Sequence, residues 1–422
     1  MALGTSAFIL EKSFAAVKRE VTPGTSVPPA ATDFNIRLRD ISFDPQTEMY
    51  LRPFASGRHS WASPVPGKRM CTVKCKADMP LGATSSTPPK YGKLLESCGA
   101  LETVILTFSG ALVTSNSVAG TVNGVSLSAT VFTSDSATTL AAIGVKIVAA
   151  LAGLGSPITA AYVVSGNTIR ITRTTPNLSV VLSAFVVTLG AGQATATYSV
   201  TYSPQGGIDP TTSSITSMDV APSTIGFYLT PTTGSSLIVT VKGAMGNCKL
   251  MMDDLGQPIY GDFEFKGCLV SIADGAAIAL TSPDTSVPPA TVGATITNAT
   301  IEQRIGKFEL DFGNDVQGKY SPAEATGYLF FYISKREPRV NMNPQIELVA
   351  DDGVWTRWIA GTETAFSFAT PTSAGLKWTL TAPKLVLLTL KQGDRNGEGI
   401  WEQEHQAVES SGNDEWLLSQ SA

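Results

Sequence analysis

The chain has 422 residues, a formal net charge of −5 and a hydrophobic fraction of 43%. This length allows about two to four domains with ample apolar side chains for their cores. The mild acidity argues against a protein that grips nucleic-acid phosphates, because such surfaces are basic. Charged residues make up only 15%, and the abundant Gly, Pro, Thr and Ser favour strands and turns over helices.

The N-terminal segment MALGTSAFILEKSFAAVKRE carries charges throughout its second half and lacks the apolar core of a signal peptide. No apolar run approaches the roughly 20 residues that a membrane-spanning helix needs. We therefore expect a protein that is synthesised in a cytoplasm, stays soluble and has no membrane partner.

The first elements after this segment are predicted to be extended. Residues 21–33 form a proline-rich arm, and FNIRLRDISF (34–43) alternates apolar and polar residues as a strand does. Residues 52–68 contain three prolines, two glycines and Trp61, and are predicted to be a long loop to the next strand.

That next strand, RMCTVKCKADM (69–79), contains two of the five cysteines. Its period-two alternation places Cys71 and Cys75 on one face, with Cα atoms roughly 13 Å apart, too far for a disulfide. The only histidines, His59 and His405, have no second ligand at zinc-site spacing. We interpret this segment as a half-buried strand with core thiols, and not as a metal or redox site.

A short helix is predicted within PPKYGKLLESCGAL (88–101), where Tyr91, Leu94, Leu95 and Cys98 share one face. The composition changes at about residue 103, and until about 205 charged residues are rare. This segment is predicted to be an inserted β–α–β module. It has an Asn-Gly turn, a helix capped by Ser134 and Asp135 and ended by glycines, and a strand pair around SGN. The apolar stripe of its helix is Leu140, Ile143, Ile147 and Leu151.

The remaining sequence divides into two halves of similar plan, each with a strand pair, one helix and further antiparallel strands. The first half is 1–102 with 206–272, residues 273–294 are a linker, and the second half is 295–422. The second helix is predicted over 344–358, with Asn343 before a first-turn Pro344. The chain ends in an acidic tail, ESSGNDEWLLSQSA.

Several segments resemble the tail tube (major tail) proteins of long-tailed bacteriophages. They are NIRLRDISFDPQTEMYLRPFASGRHSWASPVPGKRMCTVKCKADM, the LLESCGA helix, VKGAMGNCKLMMDDLGQPIYGDFEFKG and the closing LTAPKLVLLTLKQGDRNGEGIWEQEHQAVESSGNDEWLL. The resemblance covers roughly 1–102 and 206–422. It is one of overall pattern without an invariant motif, and residues 103–205 depart from it, being similar to small modules displayed outward on tails.

The resemblance implies a mainly β (α+β) fold, with two tandem tail-tube-type β-sandwich or barrel domains that each carry one helix. Sheets of neighbouring domains join into a hollow tube of stacked rings, through which DNA passes on ejection. Two domains per chain favour a trimeric ring with pseudo-sixfold symmetry over a hexamer. The implied partners are further copies of the chain, a tape measure protein and DNA in the lumen, and terminator and distal tail proteins at the ends. The implied location is the virion, after synthesis in a bacterial cytoplasm.

The polar face of the cysteine strand then meets solvent or the lumen, where its two lysines need nearby acids if DNA is not to adhere. The loop 52–68, the proline-rich arm and the acidic tail are candidates for contacts between rings.

No catalytic, cofactor-binding or metal-ligating residues are predicted. The acids of GDRNGEGIWEQEH (393–405) lie near His405, but strand geometry puts Glu402 and Glu404 on one face and His405 on the other. Asp253 and Asp254, and Asp351 and Asp352, are interpreted as residues that mark a turn or a helix end. The alternative function is a β-sandwich carbohydrate-binding or adhesion protein. It would use aromatic residues such as Trp355 and Trp358, although their spacing favours packing into a core.

Overall fold

The computed structural model describes residues 13–30, 33, 36–52, 62–82, 89–100, 103–156, 158, 160–173, 180–189, 197–202, 222–229, 235–276, 286–373, 376–410 and 414–421. These residues form a mainly β structure with several antiparallel sheets, in agreement with the predicted fold class. Within them, 23 strands accompany three helices.

The elements follow one another along the chain as four groups. The first is β1 (Phe14–Arg19), β2 (Leu38–Arg52), β3 (Ala62–Asp78) and α1 (Gly92–Ser97). The second is β4 (Thr103–Phe108), β5 (Ser117–Val122), β6 (Val125–Val131), α2 (Ser136–Ala152), β7 (Ala160–Ser165), β8 (Thr168–Arg173), β9 (Leu182–Thr188) and β10 (Tyr198–Tyr202). The third is β11 (Ser223–Leu229), β12 (Ser236–Met252) and β13 (Tyr260–Gly275). The fourth is β14 (Thr295–Asn298), β15 (Ile301–Glu302), β16 (Ile305–Asp311), β17 (Asn314–Tyr320), β18 (Tyr328–Arg336), β19 (Arg339–Pro344), α3 (Val354–Ala360), β20 (Thr364–Ala369), β21 (Lys377–Arg395), β22 (Glu398–Ala407) and β23 (Leu417–Ser421).

Two six-stranded antiparallel arrays carry the same topology. The first has the order β1-β11-β12-β13-β3-β2. The second has the order β14-β20-β21-β22-β19-β16. Matched strands also occur in the same chain order, with α1 and α3 at matching places. The two arrays are therefore two copies of one arrangement.

The two arrays join into one sheet through a short antiparallel pairing of β12 with β16, between residues 249–252 and 308–311. β12 thus pairs with β11 along its first half and with β16 near its end, both on the side opposite β13. One continuous hydrophobic core lies under both arrays and includes Phe263, Phe308, Phe368 and Trp416.

The segment between β4 and β10 has a separate hydrophobic cluster. Its sheets are β10-β4-β8-β7 and β6-β5-β9. The predicted stripe on α2 is buried in that cluster, and the Asp135 carboxylate accepts a hydrogen bond from Thr138 N at 2.7 Å as the cap. Contact with the rest of the chain includes the pair Tyr202 with Gln420 and an ion pair of Arg173 with Glu96. The domain boundaries proposed from the sequence stay a prediction.

Three local predictions need correction. The helix predicted over 344–358 begins only at Val354, because Val340, Met342 and Pro344 alternate inward as part of β19. Strand β3 already begins at Ala62, so residues 62–68 are not loop, and residues 53–61, with Trp61 and His59, lie outside the described residues. The linker begins later than predicted, because β13 extends to Gly275.

The acidic tail also belongs to the fold. Trp416, Leu418 and Gln420 alternate inward from β23, which pairs with β21. Trp416 stacks on Phe312 with ring centroids 4.2 Å apart. These three side chains belong to the core, and contacts of the tail with another ring stay a prediction.

Candidate functional site

The cysteines are buried and unpaired thiols, as predicted for the strand that contains Cys71 and Cys75. Burial raises the pKa of Cys75 to about 12 and that of Cys71 to about 11. Thiolates are the reactive form, so these side chains are poor nucleophiles at neutral pH. Among the described residues, no cluster of three or more His, Cys, Asp or Glu side chains is arranged to hold a metal ion.

The acids around His405 are separated from it by the strand itself. His405 is buried, and its Nε2 lies 3.4 Å from the Asn298 amide nitrogen. Burial lowers the pKa of His405 to about 4. Glu402 and Glu404 lie on the opposite face, as the sequence predicted.

Asp253, Asp254 and Asp352, three of the four predicted turn acids, hold local structure. Asp253 accepts a hydrogen bond from the Tyr260 hydroxyl at 2.6 Å, and Asp254 accepts one from Leu255 N. Asp352 is buried before α3 and forms a 2.8 Å ion pair with Arg357. We find these carboxylates engaged within their own turns.

The polar face of the joined sheet carries interleaved acids and bases. Cross-strand ion pairs link Lys74 to Glu264 at 2.9 Å and Lys249 to Asp311 at 3.0 Å. Lys76 pairs with Asp40 at 3.1 Å. The two lysines of the cysteine strand are therefore offset by acids, which the sequence alone left open.

A second group of these pairs continues across the joint between the arrays. Lys249 also contacts Glu309 at 3.0 Å, and Arg339 of β19 pairs with Glu404 of β22. The alternation of sign thus runs from β3 to β22. A surface of this kind is well hydrated and has no large field of one sign to hold a polyanion.

Among the unpaired edges within the described residues, two lie on the joined sheet at the places that match the two sides of the joint. β2 forms a ladder with β3 along one side, and within the described residues its other side forms a ladder with no strand. β21 pairs with β22 along residues 385–395. On its other side, residues 379–385 of β21 pair with residues 364–369 of β20, and the ladder with β20 ends there. Exposed edges of this kind are templates for pairing with another chain.

Exposed apolar side chains lie beside each of these edges. On β2, Met49, Tyr50 and Leu51 are 57%, 54% and 62% exposed. Near β21, Trp355 and Ile359 of α3 are 47% and 68% exposed, and the Trp358 Nε1–H donates to Leu388 O of β21 at 3.2 Å. We call these groups the β2 patch and the α3 patch.

The α3 patch corrects a further prediction. Trp355 and Trp358 were expected in a core, but their rings pack against each other at 5.3 Å on the surface. Only Val354 of α3 is buried, whereas α1 buries almost its whole length. The three-residue spacing of the tryptophans gave no signal for this, because it fits an inward face as well as an outward one.

Among the residues that the structure describes, no helix has the length and apolar composition to cross a membrane. No known protein-family model matches the chain, and no curated protein matches it either.

Proposed function

We propose that this chain is a structural virion protein, the subunit of a bacteriophage tail tube. The observation that carries the proposal is the internal joint: two sheets of identical strand order are fused edge to edge, and the fused sheet still has unpaired edges. In a heterologous joint two different surfaces meet. When a chain also carries a free copy of each surface, the same joint can form between successive chains, and it repeats until a ring closes. Three chains of two sheets each would supply the six sheets of a pseudo-sixfold ring, and stacked rings would make the tube.

The polar face supports the proposal that this surface lines a lumen. DNA binding is driven by release of counterions from phosphates that meet basic side chains. On this face Lys74, Lys76 and Lys249 are already paired with the carboxylates of Glu264, Asp40 and Asp311. DNA and a tape measure protein would therefore pass without adhering, and terminator and distal tail proteins would close the ends.

The separate core of residues 104–200 supports the assignment of 103–205 as an inserted module on the outside of the tube. We assign residues 1–102 with 206–275 and residues 295–422 as the two tube domains, because β13 extends the first domain to Gly275. Residues 276–294 join the two domains. The protein acts by assembly and not by catalysis, and its place is the phage tail.

The alternative is a carbohydrate-binding or adhesion protein of β-sandwich type. The exposed Trp355 beside Trp358 favours it, since surface tryptophans are common stacking platforms for ligands. Such a protein would be a discrete particle with a saturable ligand. In the tube account the same tryptophans are covered by a neighbouring subunit.

Sedimentation velocity and electron microscopy of the purified chain separate these functions. A tube subunit forms hollow polymers whose length grows with concentration. An adhesin stays a discrete particle across concentration and salt, and glycan binding quenches its tryptophan fluorescence. Discrete particles with glycan-dependent quenching would reject the tube function.

A further inference from the structure

We infer that β2 of one copy pairs with the free edge of β21 in the next copy, in the register that β16 and β12 already use within the chain. The occupant of each edge is thus a second copy of this chain. The inference rests on the proposed ring assembly and names the residues that would make its joint.

The two arrays can be matched residue by residue through their irregularities. The β11–β12 ladder shifts register between Ser223 and Ile225, and the β20–β21 ladder shifts between Thr364 and Phe366. The pairs Ser223–Ala244 and Thr364–Leu385 therefore correspond. Two residues further along, Gly246 opposite Phe265 matches Leu387 opposite His405. A bulge is a fixed feature of a sheet, so bulges at the same places give the alignment.

This alignment places matched residues in matched rows. Phe43, Val73 and Phe265 form one cross-strand row in the first array. Leu310, Val340 and His405 form the corresponding row in the second. An aspartate follows the first residue of each row: Asp44 follows Phe43 in β2, and Asp311 follows Leu310 in β16.

The partners of those aspartates can be matched in the same way. In the first array, Lys249 lies opposite Asp262, which is three rows beyond Phe265. In the second array, Lys391 lies opposite Glu402, which is three rows beyond His405. Within the chain Lys249 reaches Asp311 across the joint at 3.0 Å. Lys391 and Asp44 are the counterparts of this ion pair, and both are exposed on the unpaired edges.

The intermolecular register follows directly. In the existing joint, residues 249–252 pair antiparallel with 311–308. The repeated joint pairs residues 391–394 of one copy with 44–41 of the next, which sets Lys391 against Asp44 and Gly393 against Ser42. Complementary charge and free backbone groups thus meet in one register.

The two apolar patches strengthen this assignment, because each flanks one of the edges. The β2 patch begins five residues beyond Asp44 on the same strand. The α3 patch includes Trp358, which is bonded to Leu388, three residues before Lys391. The first array already shows a matching contact: Asn314, just beyond Asp311, donates to Cys98 O at the end of α1, at 2.8 Å. In the joint between copies, the β2 patch would take the place of Asn314, and α3 would take the place of α1.

Charge reversal tests the ion pair. Asp44→Lys and Lys391→Glu should each weaken association at least about tenfold, since like charges then face each other, and the double variant should recover most of the loss. Asp274→Lys makes the same charge change on an exposed part of β13 and should leave association unchanged. Equal urea midpoints for all variants establish that each one folds. Loss of association in both single variants without recovery in the double variant would overturn the pairing.

A disulfide tests the register. In antiparallel ladders directly opposed Cα atoms lie about 4.5–5.5 Å apart, within disulfide range. Ser42→Cys with Gly393→Cys should therefore cross-link neighbouring copies on oxidation, and the ladder of products in a denaturing gel should stop at three chains. The native cysteines are all buried, so they contribute little background. The control pair Thr47→Cys with Gly393→Cys lies about 16 Å out of register at 3.3 Å per residue and should not cross-link.

These outcomes separate the inference from the proposed function. Tubes that form from the Ser42→Cys and Gly393→Cys variant without any cross-link would overturn the joint and leave the tube function standing. Cross-linked rings that never stack into tubes would support the joint and count against the tube function.

Discussion

The buried ion cluster between α1 and β8 gives a sharp prediction about stability. Glu96 is 4% exposed and faces two arginines, Arg19 at 1% and Arg173 at 3%. Arg19 Nη1 lies 3.2 Å from its carboxylate, and Arg173 pairs with the other oxygen. Glu96→Gln keeps the shape of the side chain and withdraws the charge that both guanidinium groups face.

The expected cost can be worked from this burial. Removing one partner of a buried ion pair costs about 3–5 kcal/mol. With a urea slope of about 3 kcal/mol per molar, the midpoint of unfolding should fall by about 1–1.7 M. All six tryptophans lie outside residues 103–205, so their fluorescence in a urea titration reports on the part of the chain that contains Glu96.

Glu264→Gln is the matched control. It makes the same substitution in the pair with Lys74, whose side chains are 57% and 44% exposed. An exposed pair contributes about 0–1 kcal/mol, so the midpoint should move by less than about 0.3 M. Equal shifts for the two variants would refute the reasoning that burial sets the cost of losing the carboxylate.

Three further predictions concern pH, the α3 patch and the inserted segment. Burial lowers the pKa of His405 in the folded chain to about 4. As the pH falls from 6.5 to 4, this histidine is therefore protonated in the unfolded chain before it is protonated in the folded chain. The free energy of unfolding should fall by roughly 3 kcal/mol over that window, and His405→Gln should remove this part of the slope; parallel urea-midpoint profiles would contradict it. Trp355→Ala should weaken assembly, measured by sedimentation, while the free energy of unfolding changes by less than about 0.5 kcal/mol, as for exposed positions. Unchanged assembly would exclude the patch from the interface. Deleting 104–204 with a short linker should leave polymers visible by electron microscopy, and their loss would make the insertion part of the wall.

Local periodicity allowed the best sequence predictions. The strand around Cys71 and Cys75 and the stripe on α2 follow from period-two and period-3.6 patterns that each element carries by itself. The turn at Asn123 and Gly124 was predicted from the Asn-Gly pair, which tolerates positive φ at both positions. The structure has φ of 47° and 81° there.

The errors arose where two local signals competed. Asn343-Pro344 is a helix-start signal, yet Val340 and Met342 alternate inward, and the ladder with β16 kept this segment in the sheet. Glu409 and Asp414 made the last residues read as a solvated tail, although Trp416, Leu418 and Gln420 carry the strand period. In both cases tertiary burial outweighed the local signal.

The candidate interface could not be predicted from the sequence, because it depends on pairings between distant segments. The joint brings Lys249 to Asp311, sixty-two residues apart, and nothing near either residue indicates the other. The proposed pairing of Asp44 with Lys391 could be inferred only from the shared topology of the arrays.

The most direct test of the tube account is electron microscopy of the purified protein, with two-dimensional averages viewed down the ring axis. A tube subunit with two tube domains per chain should give hollow rings or tubes with three outward knobs, one for each inserted module. Six knobs would keep the tube but contradict two tube domains per chain. Compact particles without a central channel, at every concentration and salt tested, would contradict the account itself.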